Sequence, residues 1–165
     1  MSEENGAAEA PPVIINGQYV KDLSFEVPNA PAIYAEMSQG QPEIGINIDV
    51  SVAQIQSNVF EVTLNLESKA QLGDKVAFVA EVAYAGVVTL NVPEEHLHPM
   101  LLIECPRLLF PFARNVLATI TRDGGFPPVM LQPVDFMQLY RQRMEAAAAE
   151  QQETEGGDEN KPVIN

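Results

Sequence analysis

The sequence predicts an α+β fold, a four-stranded antiparallel sheet followed by two helices, and three observations carry it. Four segments between Tyr19 and Tyr84 alternate apolar and polar residues with a period of two. Links between the later segments are short, which favours antiparallel pairing. After Pro106 the apolar spacing becomes helical, so strands come first and helices follow.

The first strand, YVKDLSFEV from Tyr19 to Val27, turns Leu23, Phe25 and Val27 one way and Asp22, Ser24 and Glu26 the other, until PNAP stops it. In the second, Ile44, Ile46, Ile48, Val50 and Val52 share one parity, with Glu43, Gly45, Asn47, Asp49 and Ser51 on the other. The third, Phe60 to Ala70, alternates Phe60, Val62, Leu64 and Leu66 with Glu61, Thr63, Asn65 and Glu67. A LGD turn leads into the fourth, Lys75 to Tyr84. Here Val76, Phe78, Ala80, Val82 and Tyr84 form one face, while Ala77, Val79 and Ala83 keep the other nearly apolar around Glu81. A strand apolar on both sides needs a cover for its second face, either the C-terminal helices or a second copy of the chain. The second copy is the economical cover.

Helical spacing links Leu109, Phe112, Ala113, Val116, Leu117 and Ile120, with Pro106 in the first turn and Gly124-Gly125 as the stop. Pro111 removes a further backbone donor early in this helix. FPPVMLQP follows as an extended connector; Pro127, Pro128 and Pro133 keep it out of the sheet, and it should lie over the helices with a crevice beneath. A second helix starts near Asp135, a candidate N-cap, with Phe136, Leu139, Tyr140 and Met144 on one stripe. Residues 1–12 and 146–165 are small, acidic and unable to bury enough apolar area to order themselves, which leaves one domain over 13–145 between two mobile acidic tails.

With 23 acidic residues against 9 basic ones, the net charge is -14, which repels nucleic acid and anionic membrane surfaces. The same charge attracts basic partners and keeps exposed apolar surface soluble. The single cysteine, Cys105, suits a reducing compartment. No basic segment leads into an apolar run, and no stretch reaches the roughly 20 apolar residues that cross a bilayer, so the expected location is cytoplasmic.

Catalytic chemistry finds little material. In EEHLH, Glu94 to His98, two histidines and a carboxylate could hold a metal on a strand, but the spacing matches no known metal signature, and an exposed or helix-capping role is favoured. Cys105 has no neighbouring base and reads as a buried small hydrophobe. GDK at Gly73 to Lys75 lacks the rest of a phosphate loop. The expectation is a protein without enzymatic activity, metal or cofactor.

Two features suit binding instead. Phe110, Phe112, Phe126, Met130, Leu131, Phe136 and Met137 supply apolar surface that can repack around varied extended peptides. Asp22 and Glu26, about 13 Å apart on one face of a strand, together with Glu81, suit a small basic partner.

YVKDLSFEVPNAP (Tyr19 to Pro31), FEVTLNLESKAQLGDKVAFVAEV (Phe60 to Val82) and CPRLLFPFARNVLATITRDGGFPPVMLQPVDF (Cys105 to Phe136) closely resemble the SecB family of protein-export chaperones. The match samples the domain from Tyr19 to about Arg143. It implies a SecB-like dimer of dimers, a homotetramer that binds unfolded preproteins without ATP in the cytoplasm and passes them to the motor SecA. By the same resemblance, Asp22, Glu26, Val79 and Glu81 contact SecA; Ala80, Val82 and Tyr84 mediate tetramer assembly; and Phe110, Phe112, Phe126 and Met130 line the client groove. Any zinc belongs to SecA. An acidic adaptor for one folded basic partner is the competing reading, and relatives that serve toxin–antitoxin systems share the fold.

Overall fold

Four long strands make a single antiparallel sheet in the computed structural model, which describes residues 9–156. They are β1 (Val13–Glu26), β2 (Glu43–Gln56), β3 (Val59–Leu72) and β4 (Lys75–Leu90). The order across the sheet is β1-β4-β3-β2, so the chain leaves β1 at one edge and enters β2 at the other. The crossing carries a five-residue helix, α1 (Ala32–Glu36), whose Ile33 is buried. β2, β3 and β4 then follow as two hairpins. Gly73 in the second hairpin turn has φ +62°, a conformation glycine adopts without strain.

All helical cover lies on one face. Phe60, Val62, Leu64, Leu66, Ser68 and Ala70 of β3 pair with Val88, Gly86, Tyr84, Val82, Ala80 and Phe78 of β4, and this is the buried side. A helical run begins at Glu94, earlier than the sequence spacing predicts. It comprises α2 (Glu94–Pro99), a π-helical turn (Met100–Glu104) and α3 (Cys105–Asp123). Pro106 has no N–H to give the Leu102 carbonyl, so the ordinary ladder is already interrupted where the winding widens. Leu109 of α3 packs against Gly86, where a Cβ would come within 2.8 Å of its side chain. Gly125, φ +86°, ends α3, and its N–H bonds to the Arg122 carbonyl at 3.0 Å.

Past α3, Phe126 closes an aromatic cluster, 4.8 Å from Phe78, 5.2 Å from Tyr34 and 6.2 Å from Phe25 between ring centroids. Such pairs contribute about 0.5–1.5 kcal/mol each beyond their burial. The connector after it joins no strand. It is pinned to α3 by the Val129 N–H, which donates to Thr121 Oγ1 at 3.0 Å. α4 (Phe136–Gly156) starts at the expected cap: the Gln138 N–H donates to Asp135 Oδ1 at 3.0 Å, a bond worth about 1 kcal/mol. The helix does not end near residue 145. Four alanines from Ala146, the best helix formers, carry it to Gly156, so this part of the expected C-terminal tail is helical. Most of the expected N-terminal tail and residues 157–165 lie outside the described residues.

Candidate functional site

The sheet presents two different surfaces, and register decides which residue lies on which. On the open face Asp22, Ser24 and Glu26 of β1 stand opposite Ala83, Glu81 and Val79 of β4. The four residues expected to meet a basic partner, Asp22, Glu26, Val79 and Glu81, therefore sit together across one ladder. Ser24 Oγ donates to Glu81 Oε2 at 3.1 Å. Glu67 of β3 lies directly across from Glu81, and like charges so placed repel. Asp22, Glu67, Glu81 and Asp49 line a shallow hollow of about 230 Å³ with Asn47, Asn65 and Ala83. Glu67 and Asp49 were open to discovery from strand parity alone, but their position beside Glu81 depends on the strand order.

Further along this face the register of β1 slips between Val20 and Asp22. Tyr19 and Lys21 both donate to the carboxylate of Glu61. The Lys21 bond first and the Tyr19 bond second hold Glu61 below the usual carboxylate range, while the same contact pushes the Tyr19 phenol up. Tyr19 pairs with Ala85, and the polar cluster stands beside the small residues that keep β4 apolar here.

On the other face, hollows follow edge strand β2. The first lies between Ile44, Ile46 and Ile48 and the connector residues Pro128–Gln132, and has a volume of about 460 Å³. The next passes between Ile46 and Ile48 and the start of α4 at Val134, Asp135 and Gln138. A third joins Val50 to Leu102, Leu139 and Arg143, and a fourth joins Val50 and Val52 to His98, Leu101 and Met144. Successive hollows share residues, so they form one groove between β2 on one side and the connector and α4 on the other. From Ile44 to Val52 it runs about 27 Å.

The four residues expected to line a client groove lie in different places. Phe110 is buried edge-on against Phe136, ring centroids 5.9 Å apart, and Phe126 is buried in the aromatic cluster. Both hold the core together, away from the hollows along β2. Phe112 is exposed but stacks on Tyr84, 6.3 Å away and 6° from parallel, so it belongs to another surface. Met130 alone of the four lines the groove along β2. The isoleucines of its floor read as ordinary core in the sequence, since their alternation does not say that β2 is an edge strand.

The three residues expected to mediate assembly lie within the subunit. Ala80 and Val82 are buried on the helix-covered face of the sheet. Tyr84 is buried under Phe112. The exposed apolar surface nearest to them is formed by Leu23 and Val20, register partners of Val82 and Tyr84, and by Phe112 and Leu108 of α3.

His98 sits on α2, and its Nδ1 lies 3.2 Å from the Tyr140 hydroxyl of α4. Among the described residues no group of three His, Cys, Asp or Glu side chains is arranged to hold a metal. Cys105 is buried, and desolvation, followed by the nearby Glu104 charge, pushes its thiol up to about 11. Among the described residues no helix is long and apolar enough to cross a membrane.

A free strand edge beside alternating isoleucines can take up extended chain of no fixed sequence, so fold and site define a polypeptide-binding protein. Comparison with known proteins supplies the family. The family model for preprotein translocase subunit SecB matches residues 6–147. Protein-export protein SecB of Rhodospirillum rubrum is 55% identical over 152 residues, covering 91% of this chain and 94% of that protein. The protein of that name from Paramagnetospirillum magneticum is 55% identical over 143 residues, covering 87% and 92%. Among solved structures, the SecB-like chaperone of Mycobacterium tuberculosis, in complex with a peptide from an antitoxin, matches with a TM-score of 0.62 at 17% identity, over 74% of this chain and 90% of that one. The chain belongs to the SecB family. It is a chaperone of protein export, not an enzyme, and its ligands are polypeptides.

Proposed function

We propose that this chaperone holds unfolded preproteins in the cytoplasm without nucleotide, keeps them competent for translocation and hands them to SecA. The observation that carries client capture is the groove along β2. Its floor offers alternating apolar side chains to a chain of matching period, and Met130 can repack around clients of different sequence. The acidic ladder of Asp22, Glu26, Val79 and Glu81 is the SecA-docking surface. It occupies the face of the sheet opposite the groove, so client and motor can be held together.

The working unit is a homotetramer, a dimer of dimers. Its contacts are assigned to the exposed patch of Val20, Leu23, Leu108 and Phe112 above Tyr84, since Ala80 and Val82 act inside the subunit. Export is favoured over service to a toxin–antitoxin pair: the export-named relatives are 55% identical, the antitoxin-bound chaperone only 17%.

The test mixes the protein with a chemically unfolded preprotein at stoichiometric ratio without nucleotide. Aggregation should be suppressed, and light scattering should report a tetramer carrying the client. Replacing Asp22, Glu26 and Glu81 together by Lys should abolish binding of the SecA tail and leave client capture intact. Unchanged affinity for that tail would remove the site assignment.

A further inference from the structure

At Val50 one charged side chain crosses the groove. Along the β2 floor the exposures of Ile44, Ile46, Val50 and Val52 are 46%, 40%, 3% and 37%. Ile48 between them is half-buried, and Val50 alone is fully buried, beside Leu102, Leu139 and Arg143. Arg143 of α4 reaches across to β2 at this point, where its Nη1 donates to the Val50 carbonyl at 2.6 Å and lies 3.7 Å from Asp49 Oδ1. Val50 and Asp49 belong to opposite faces of β2, so the guanidinium wraps around the free edge of the strand. It takes a backbone acceptor that an added chain would use. Arg143 is also the only lysine or arginine lining the four hollows, and it is shared by the third and fourth.

We propose that Arg143 is a specificity-determining residue of the groove, a strap that divides it at Val50 and sets the length of client segment that binds without displacing it. This rests on the groove being the client site. Short apolar segments bind between Ile44 and Val50 with the strap in place. Longer ones must lift the guanidinium from the Val50 carbonyl to reach Val52 and the hollow beside Met144. The strap is built to let go: half of the Arg143 side chain and more than half of the Asp49 side chain are exposed, a setting in which an ion pair holds weakly. A client backbone N–H can then replace it on the Val50 carbonyl.

Two synthetic peptides of alternating leucine and glutamine, each with one terminal lysine, test this on the full-length protein. Six residues extend over about 20 Å and fourteen over about 46 Å. With Arg143→Ala the longer peptide should bind about fivefold tighter, while the shorter one should change by less than about twofold. Arg143→Gln, which keeps a good helix former, should behave the same if Arg143→Ala melts α4, as circular dichroism will show. Equal changes for both peptides, or none, overturn the strap while leaving the groove. Failure of both peptides to bind the unmodified protein overturns the groove and the strap with it.

Discussion

Gly124 has no room for a methyl group, because a Cβ there would stand 2.2 Å from the ring of Phe25. That ring is itself held by Phe78, stacked 5.6 Å away, and by Phe126. Gly124→Ala should therefore cost about 1–3 kcal/mol, read as a lower urea midpoint with an unchanged slope. Cys105 is a second residue whose environment dictates behaviour. Its thiol is raised from 9.0 to about 11 by burial, so the folded state holds the proton more tightly than the unfolded chain. The stability this gives is complete below pH 9 and is lost as pH rises through about 11. Native protein at pH 8 should react with a thiol reagent many times more slowly than the urea-unfolded chain. Equal rates would show the thiol to be accessible.

At the scale of elements, the connector depends on one hydroxyl. Thr121 Oγ1 donates within its own helix, to the Leu117 carbonyl at 2.9 Å or the Ala118 carbonyl at 3.1 Å, and accepts the Val129 N–H. Thr121→Val keeps the shape and leaves a buried N–H without a partner, a loss of about 1–3 kcal/mol. Amide exchange at Val129 should quicken, and client affinity should fall because Met130 and Leu131 lose their seat over the β2 isoleucines. The strands were legible wherever alternation was unbroken, as in β2 and β3. Residues 13–18 of β1 were not, because register slips between Ile15 and Gly17 and between Val20 and Asp22 break the period of two. The early start of the helical run was hidden because Pro106 reads as the first turn of a helix, whereas the winding begins at Glu94 and passes through a π-helical turn before Cys105. The far half of α4 was hidden because alanine and glutamate favour a helix without supplying an apolar stripe. The acidic ladder could be read from parity within β1 and β4, whereas the groove needed the strand order. Only the knowledge that β1 crosses to the far side of β4 turns the isoleucines of β2 from core into edge.

The whole molecule gives the two faces of one sheet different characters, apolar hollows on the side of the helices and carboxylates on the open side, and the proposed function assigns one task to each. The net charge of -14 favours encounter with any basic partner, and on the open face Asp22, Asp49, Glu67 and Glu81 gather around one hollow. There Glu67 and Glu81 are paired directly across β3 and β4, an arrangement that opposes folding and favours a cation laid over both. Stability and docking should therefore move in opposite directions at this position. Glu67→Gln removes the repulsion, keeps the size of the side chain, and should raise subunit stability by about 0.2–1 kcal/mol. The same change should weaken binding of the basic partner tail and flatten its dependence on salt, while binding of an unfolded client in the groove stays the same. Urea unfolding, titration of the tail at two salt concentrations, and client titration measure the three effects. A variant that gains stability and binds the tail as tightly as before would place Glu67 outside the docking surface.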